Sequence, residues 1–217
     1  MPKSMIASLS VPHLTIFDEV EATALMATQK QLKAEAGKLT LTAMTVKAVS
    51  LALSKMPIIN SKYNPNAAKP EYTIYASHNI SLAIDTPDHG LMVPNIKNVQ
   101  NLSLGEIQAE LVRLQDAATR GRLTRDDITG GTFTISNVGV VGGTYIQAVL
   151  FDGQAAILAL GRIKTEWRGE DAPTKTKVMN ISCAGDHRHL DGATVARFTT
   201  ILRRYLEHPQ LMMLDMK

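Results

Sequence analysis

The sequence predicts an α/β fold, a two-layer sandwich in which helices pack against one mixed sheet. Two observations lead there. Runs with apolar residues at helical spacing alternate with short runs of period-two alternation. No internal repeat or low-complexity linker divides the 217 residues, so residues 1–217 read as a single domain with one large core.

Taken in order, residues 18–36 are rich in Ala, Leu, Gln, Lys and Glu and read as a helix that Gly37 ends. Thr42 is placed to cap a second helix bearing Val46, Val49, Leu51, Leu53 and Met56, stopped by Pro57. Residues 72–75 and 79–84 read as strands around a polar turn. Pro87-Asp88-His89-Gly90 is a turn, and residues 91–93 resume the strand. Ser103 and Glu106 form a capping-box pattern ahead of Ile107, Leu111 and Leu114, which predicts a helix over residues 103–118. Residues 132–137, 154–160 and 177–184 supply three further strands, with a polar loop at residues 168–173 between the last two. Val195, Phe198, Leu202 and Leu206 then mark a final helix over residues 192–207.

Composition excludes several classes. A formal charge of +3 without a Lys/Arg block does not point to nucleic acid, although it suits an anionic small molecule. The lone Cys183 rules out an intrachain disulfide, and its strand position marks a buried structural thiol. No apolar run reaches membrane-spanning length, and the N-terminus lacks the apolar core of a signal peptide. The expected location is the cytoplasm of a prokaryote or, for a processed organellar chain, the mitochondrial matrix.

Chemistry concentrates in Asp186-His187-Arg188-His189-Leu190-Asp191-Gly192, where a strand pattern gives way to a helix pattern. A strand end can hold an imidazole rigidly, as a general base requires. An isolated histidine in such a place is ordinarily a satisfied turn or core residue. A metal reading fails for a different reason. His187 and His189 share a strand face, but neither a Cys pair nor His-Glu-x-x-His accompanies them, so no metal site is predicted. Arg188 is placed to pair with Asp191. Ser136 follows a strand and precedes a glycine-marked loop, without the Gly-x-Ser-x-Gly elbow of a serine hydrolase. Gly130, Gly131, Gly139, Gly142 and Gly143 lack the Gly-Lys-Ser/Thr of a phosphate loop and read as turn and packing positions.

The His187-x-x-x-Asp191-Gly192 element, with Gly130-Gly131-Thr132-Phe133-Thr134-Ile135-Ser136-Asn137-Val138-Gly139 before it, resembles the catalytic domain of the dihydrolipoamide acyltransferases. These are the E2 core subunits of 2-oxoacid dehydrogenase complexes. The resemblance continues through Val11-Pro12-His13 and Asp18-Glu19, Asp85 with Gly90-Leu91-Met92-Val93-Pro94, Ala159-Leu160-Gly161, and Leu206-Glu207-His208-Pro209. It covers essentially the whole chain in the family's order. Residues 93–100 and Met179-Asn180 look most like the branched-chain members.

This resemblance implies a chloramphenicol-acetyltransferase-like fold. It implies His187 as the base that deprotonates coenzyme A, Ser136 as donor to the tetrahedral oxyanion, and Asp191 as an active-site residue that holds the loop. It maps a coenzyme A groove onto Thr40, Asp85, Gln115, Ser136, Asn137, Gly161 and Ile163. One departure is Gln29, where close relatives carry an arginine near the coenzyme, leaving Lys30 or Lys33 as substitutes. The implied partners are coenzyme A, an acylated dihydrolipoamide arm on a separate lipoyl domain, and the E1 and E3 enzymes through domains absent from these residues. The chain is therefore expected to be an excised domain. Homotrimers are expected to share each active site and to build a polyhedral core, with Leu211-Met212-Met213-Leu214 docking into a neighbouring trimer. Alternatives within reach of the same motifs are a chloramphenicol-type O-acetyltransferase and a catalytically silent core subunit.

Overall fold

In the computed structural model, which describes residues 2–216, one seven-stranded sheet carries its four long helices on one face. The elements in chain order are α1 (Pro2–Leu9), β1 (His13–Glu21), α2 (Thr23–Ala36), α3 (Leu41–Lys55), β2 (Ser61–Asn64), β3 (Glu71–Ile74), β4 (Ile80–Thr86), β5 (Gly90–Met92) and β6 (Asn95–Ile96). They continue through α4 (Leu104–Thr119), α5 (Arg125–Ile128), β7 (Phe133–Asn137), β8 (Ala156–Arg168), β9 (Thr174–Asp186) and α6 (Gly192–Glu207), and a 3₁₀ turn at Pro209–Leu214 follows. The sheet order is β1-β9-β8-β7-β4-β5, with β6 beside β4. Strands β4, β7 and β8 are mutually parallel, whereas β9 is antiparallel to both β8 and β1.

Alternation sorts each strand between two faces. Ile80, Leu82, Phe133, Ile135, Leu158, Leu160, Ile181 and Cys183 enter the main core with α2, α3, α4 and α6. Ser136, Ala159 and Ser182 therefore belong to the other face. There the irregular residues 138–155 run from the end of β7 back to the start of β8, as a parallel pair requires. Ser182 Oγ donates to Ile146 O, Arg162 N donates to Gly143 O at 2.9 Å, and Leu150 packs with Ile157 and Ala184 to fix that crossing.

Helix α3 is the core's centre and is buried on every side from Ala43 to Leu53. Its one internal charge is held: Lys47, 1 % exposed, donates Nζ to Leu102 O at 2.6 Å. Burial also pushes the Cys183 thiol up to about 12, so it is an inert structural thiol at neutral pH.

Several sequence expectations shift. Residues 18–21 are strand rather than helix, because Asp18 to Glu21 pair with Ile181 to Val178 of β9. Thr40, not Thr42, caps α3, its Oγ1 accepting from Ala43 N at 3.2 Å. Strand β3 pairs with the unanticipated β2, forming a hairpin outside the main sheet. Helix α4 and its Ser103/Glu106 capping box, and α6 from Gly192 to Glu207, stand as the sequence predicts.

Gly161 interrupts the β8–β9 register and lies where two chain segments cross. A Cβ there would sit 2.5 Å from Thr144 O and 3.1 Å from Asn180 O. Gly161→Ala must therefore push backbone aside and should destabilise the fold by about 1–3 kcal/mol, the usual range for overpacking. Urea unfolding checks this, and unchanged stability would show that the crossing yields freely.

Candidate active site

The turn after β9 is pinned from three sides. Asp186 N donates to Ala155 O at 2.8 Å, His187 N to Pro12 O at 2.9 Å, and Leu190 N to Asp186 O at 2.9 Å. His187 is thus held beside the starts of β1 and β8, with its side chain exposed. Its Nδ1 lies 2.8 Å from Leu190 O. A carbonyl oxygen only accepts, so the neutral ring carries its proton on Nδ1 and keeps the Nε2 lone pair. This is the tautomer that a general base needs.

The neighbours of His187 serve that turn. Asp186, 1 % exposed, takes a two-pronged contact from Arg188, with Nε to Oδ1 at 2.9 Å and Nη2 to Oδ2 at 2.6 Å. The expected Arg188–Asp191 pair is therefore not formed. Asp191 is turned instead onto the first turn of α6, where Oδ1 accepts from Thr194 N at 2.7 Å. Hydrogen bonds from Thr194 hold the Asp191 carboxyl below the usual carboxylate range. His189 sits between two partners: its Nε2 lies 2.9 Å from Ser61 Oγ and its Nδ1 4.0 Å from Asp186 Oδ2, and burial holds its pKa below the usual histidine value. Among the described residues, no three His, Cys, Asp or Glu side chains converge as metal ligands.

The other candidate residues gather at the opposite end of the sheet. Ser136 and Asn137 end β7, and Asp85 lies two residues past Ala83, the β4 partner of Ser136. Asn137 Nδ2 approaches Thr42 Oγ1 at 3.4 Å, which brings the first turn of α3 to this edge. Thr40 donates from both N and Oγ1 to Gln108 Oε1, each at 2.8 Å. Gly161 and Ile163 flank the β8 irregularity beside it. Gln115 is exposed on α4, two turns or about 10 Å along the axis from Gln108. Gln29 spends its amide on Leu39 O at 2.5 Å, while Lys30 and Lys33 of the same helix are exposed.

Sequence reasoning gave Gln108 no role and named Asn180 only for its likeness to the branched-chain members. Gln108 is buried and shapes the Thr40 corner. Asn180 is 4 % exposed beside Gly161, and neither amide atom has a hydrogen-bond partner among the described residues. A polar residue inside an apolar strand pattern is the signal that could have flagged Asn180.

One chain does not bring His187 and Ser136 together. Ser136 is level with Ala159, which is level with Ser182. His187 lies five residues beyond Ser182, so their Cα atoms are about 19 Å apart from strand rise and spacing. Their side chains cannot close that gap.

The model of the family described as 2-oxoacid dehydrogenases acyltransferase (catalytic domain) matches residues 1–214. The chain belongs to this family. A curated family relative is the lipoamide acyltransferase component of the mitochondrial branched-chain α-keto acid dehydrogenase complex of Bos taurus. It is 44 % identical over 223 aligned positions covering 100 % of this chain and 46 % of the relative. The chain thus spans about half the length of the curated relatives it matches first.

A solved family structure, from a study of the roles of a serine, a histidine and an asparagine in Azotobacter vinelandii dihydrolipoamide acetyltransferase, superposes with a TM-score of 0.92 at 32 % identity. It covers 98 % of this chain and 88 % of that one. The cubic core of the pyruvate dehydrogenase multienzyme complex matches with the same TM-score, identity and coverage. Chloramphenicol acetyltransferase aligns with a TM-score of 0.61 at 16 % identity, covering 94 % of each chain, which shows a shared α/β fold. None of the described helices is long and apolar enough to cross a membrane.

Because Asp191 works as the cap of α6, Asp191→Asn should keep the first turn of that helix protected from hydrogen exchange. Asp191→Ala should expose it. Exchange mass spectrometry of the segment after Leu190 separates the two. Equal protection in both variants would remove the capping role.

Proposed function

We propose that this chain is the catalytic and core-forming domain of a dihydrolipoamide acyltransferase. It would move an acyl group, branched-chain in type, between dihydrolipoamide and coenzyme A. The observation that carries this reading is the His187 ring, held by Leu190 O with Nε2 as its basic nitrogen, in a chain of this family. The Azotobacter relative supports it, since the histidine and asparagine studied there lie four positions apart, as His187 and Asp191 do here.

In this reading Nε2 of His187 takes the proton from the coenzyme A thiol. The thiol's ordinary pKa lies only a little above that of imidazole, so the transfer is nearly balanced. The thiolate sulfur attacks the thioester carbonyl of the acylated dihydrolipoyl arm, and the carbonyl oxygen becomes an oxyanion. Ser136 of a neighbouring copy donates its hydroxyl hydrogen bond to that oxygen, a contribution worth about 3 kcal/mol of transition-state stabilisation. Collapse breaks the bond to the dihydrolipoyl sulfur, which receives the proton from His187. No acyl-enzyme forms. Asp191 anchors the loop that holds the base.

Thr40, Asp85, Gln115, Ser136, Asn137, Gly161 and Ile163 would line the coenzyme groove. With Gln29 committed to Leu39 O, Lys30 and Lys33 are the cations left on α2 for phosphate groups. A lipoyl domain elsewhere in the protein would deliver the arm, and the E1 and E3 enzymes would dock through other domains. The whole chain would act as one catalytic domain, in a bacterial cytoplasm or a mitochondrial matrix.

Self-association supplies the missing half of each site. Along residues 138–155, Val140 and Val141 are 82 % and 80 % exposed and Tyr145 is 67 % exposed, an apolar strip that a soluble monomer would seldom leave bare. We assign this strip to a homotrimer interface. The tail divides its work. Met212 is 2 % exposed and completes the chain's own core, whereas Met213 and Leu214 are 71 % and 80 % exposed and are free to join trimers into a polyhedral core.

Three measurements test this. His187→Ala should lower acyl transfer from acyl-coenzyme A to dihydrolipoamide by about two to four orders of magnitude, and near-native turnover would remove the base. Ser136→Ala should lower kcat about a hundredfold with KM little changed. A rise in KM alone would make Ser136 a ground-state binder. Replacing Met213 and Leu214 together by Asp should release smaller particles of normal stability, read by light scattering. A particle of unchanged mass would confine the tail to its own subunit.

A further inference from the structure

The β2–β3 hairpin is not part of the main sheet, yet it grips the turn that carries His187. Tyr63 and Tyr72 are cross-strand partners on this hairpin. The His189 ring stacks on both, with centroids 5.7 Å from Tyr63 and 5.3 Å from Tyr72 and interplanar angles of 21° and 25°. Ser61 Oγ, at the hairpin's root, lies 2.9 Å from His189 Nε2. The Arg188 guanidinium rests over the Tyr63 ring, 4.6 Å from its centroid, while its Nε–Nη2 edge is held by Asp186. A main-chain relay reinforces these contacts: Ala155 N donates to Ser61 O at 3.0 Å, and Asp186 N donates to Ala155 O at 2.8 Å. Both residues that follow His187 are therefore clamped by aromatic rings of a separate element.

We infer that the β2–β3 hairpin is a positioning clamp for the base, in which Tyr63 and Tyr72 hold His189 and Arg188 and thereby fix the direction of the His187 ring. This rests on His187 being the base. Near-parallel ring contacts of this kind contribute through area and polarisation, and the phenolic hydroxyls are dispensable to them. Strand β3 is exposed along its length, so the Tyr72 ring on His189 is what ties it to the turn that carries His187. A displacement of about 1 Å at a reacting group can lower the rate by up to a hundredfold. The coenzyme groove that serves this His187 would lie on the neighbouring copy, beside that copy's Ser136, so the KM for coenzyme A should not respond to the clamp.

The test compares Tyr63→Leu and Tyr72→Leu with Tyr63→Phe and Tyr72→Phe in the assembled protein. Each Leu variant should lower kcat by about ten- to a hundredfold with KM for coenzyme A unchanged, and each Phe variant should recover most of the rate. Exchange mass spectrometry on the same samples should show faster exchange of the His187, His189 and Leu190 amides in the Leu variants alone. Leu variants with native kcat, a change confined to KM, or Phe variants as slow as Leu would each overturn the clamp. His187→Ala, assayed alongside, separates the two ideas. If it turns over normally, the base assignment fails by itself. The exchange result then still decides whether the hairpin fixes the turn, unchanged exchange overturning the clamp and faster exchange upholding it.

Discussion

Because β7 runs parallel to β8 while β9 runs antiparallel to it, the ends of β7 and β9 emerge at opposite edges of the sheet. That pairing is fixed by the core: a one-residue slip of β9 would turn Ile181 and Cys183 out of the main core and drive Ser182 into it. The separation of Ser136 from His187 is thus as firmly specified as the fold. For His187 and Ser136 to act on one substrate, as proposed, they have to come from two copies. The exposed apolar strip over residues 138–155 lies on the connection between β7 and β8, so one segment both solves the crossover problem and carries the surface proposed for association.

Around His187 the fold uses short, local devices rather than a buried charge relay. The Leu190 carbonyl selects the tautomer, the Asp186–Arg188 pair braces the turn, and Asp191 starts α6. Asp191 is turned toward the Thr194 amide, so its charge favours the helix N-terminus as well as the loop. The arrangement leaves Nε2 unencumbered. At the other edge, the glycines do a different job. Gly139 and Gly161 permit backbones to cross beside the end of β7, where any side chain would prise the Ser136 corner open.

The parts of this molecule that rest on neighbouring residues were legible in the sequence. Ser103 and Glu106 announce α4, and the spacing of Val195, Phe198, Leu202 and Leu206 announces α6. The parts that rest on distant pairing were not. Residues 18–21 have a helix-like composition but are held as strand by β9, and their charges are answered from afar by Arg203 on Asp18 at 3.0 Å and Arg168 on Glu19 at 2.6 Å. The polar β2 strand gives no alternation to read, and its role emerges only from where Tyr63 lies. The same holds for the site. Motif order marks His187 and Ser136, and the family resemblance implies that copies share each site, but strand direction gives the physical reason that the two cannot meet within one chain. Arg188 has an acid on each side within three residues, and the choice of Asp186 follows from Asp191 being engaged by α6.

The claim that each site is shared between copies is tested most directly by mixing. His187→Ala and Ser136→Ala chains, each impaired alone, should be unfolded together and reassembled in equal amounts. Random assortment puts an intact His187 opposite an intact Ser136 at about one site in four of a cyclic trimer. Acyl transfer should then recover to about a quarter of the native rate. No recovery, with subunit mixing demonstrated by mass spectrometry, would contradict the shared site.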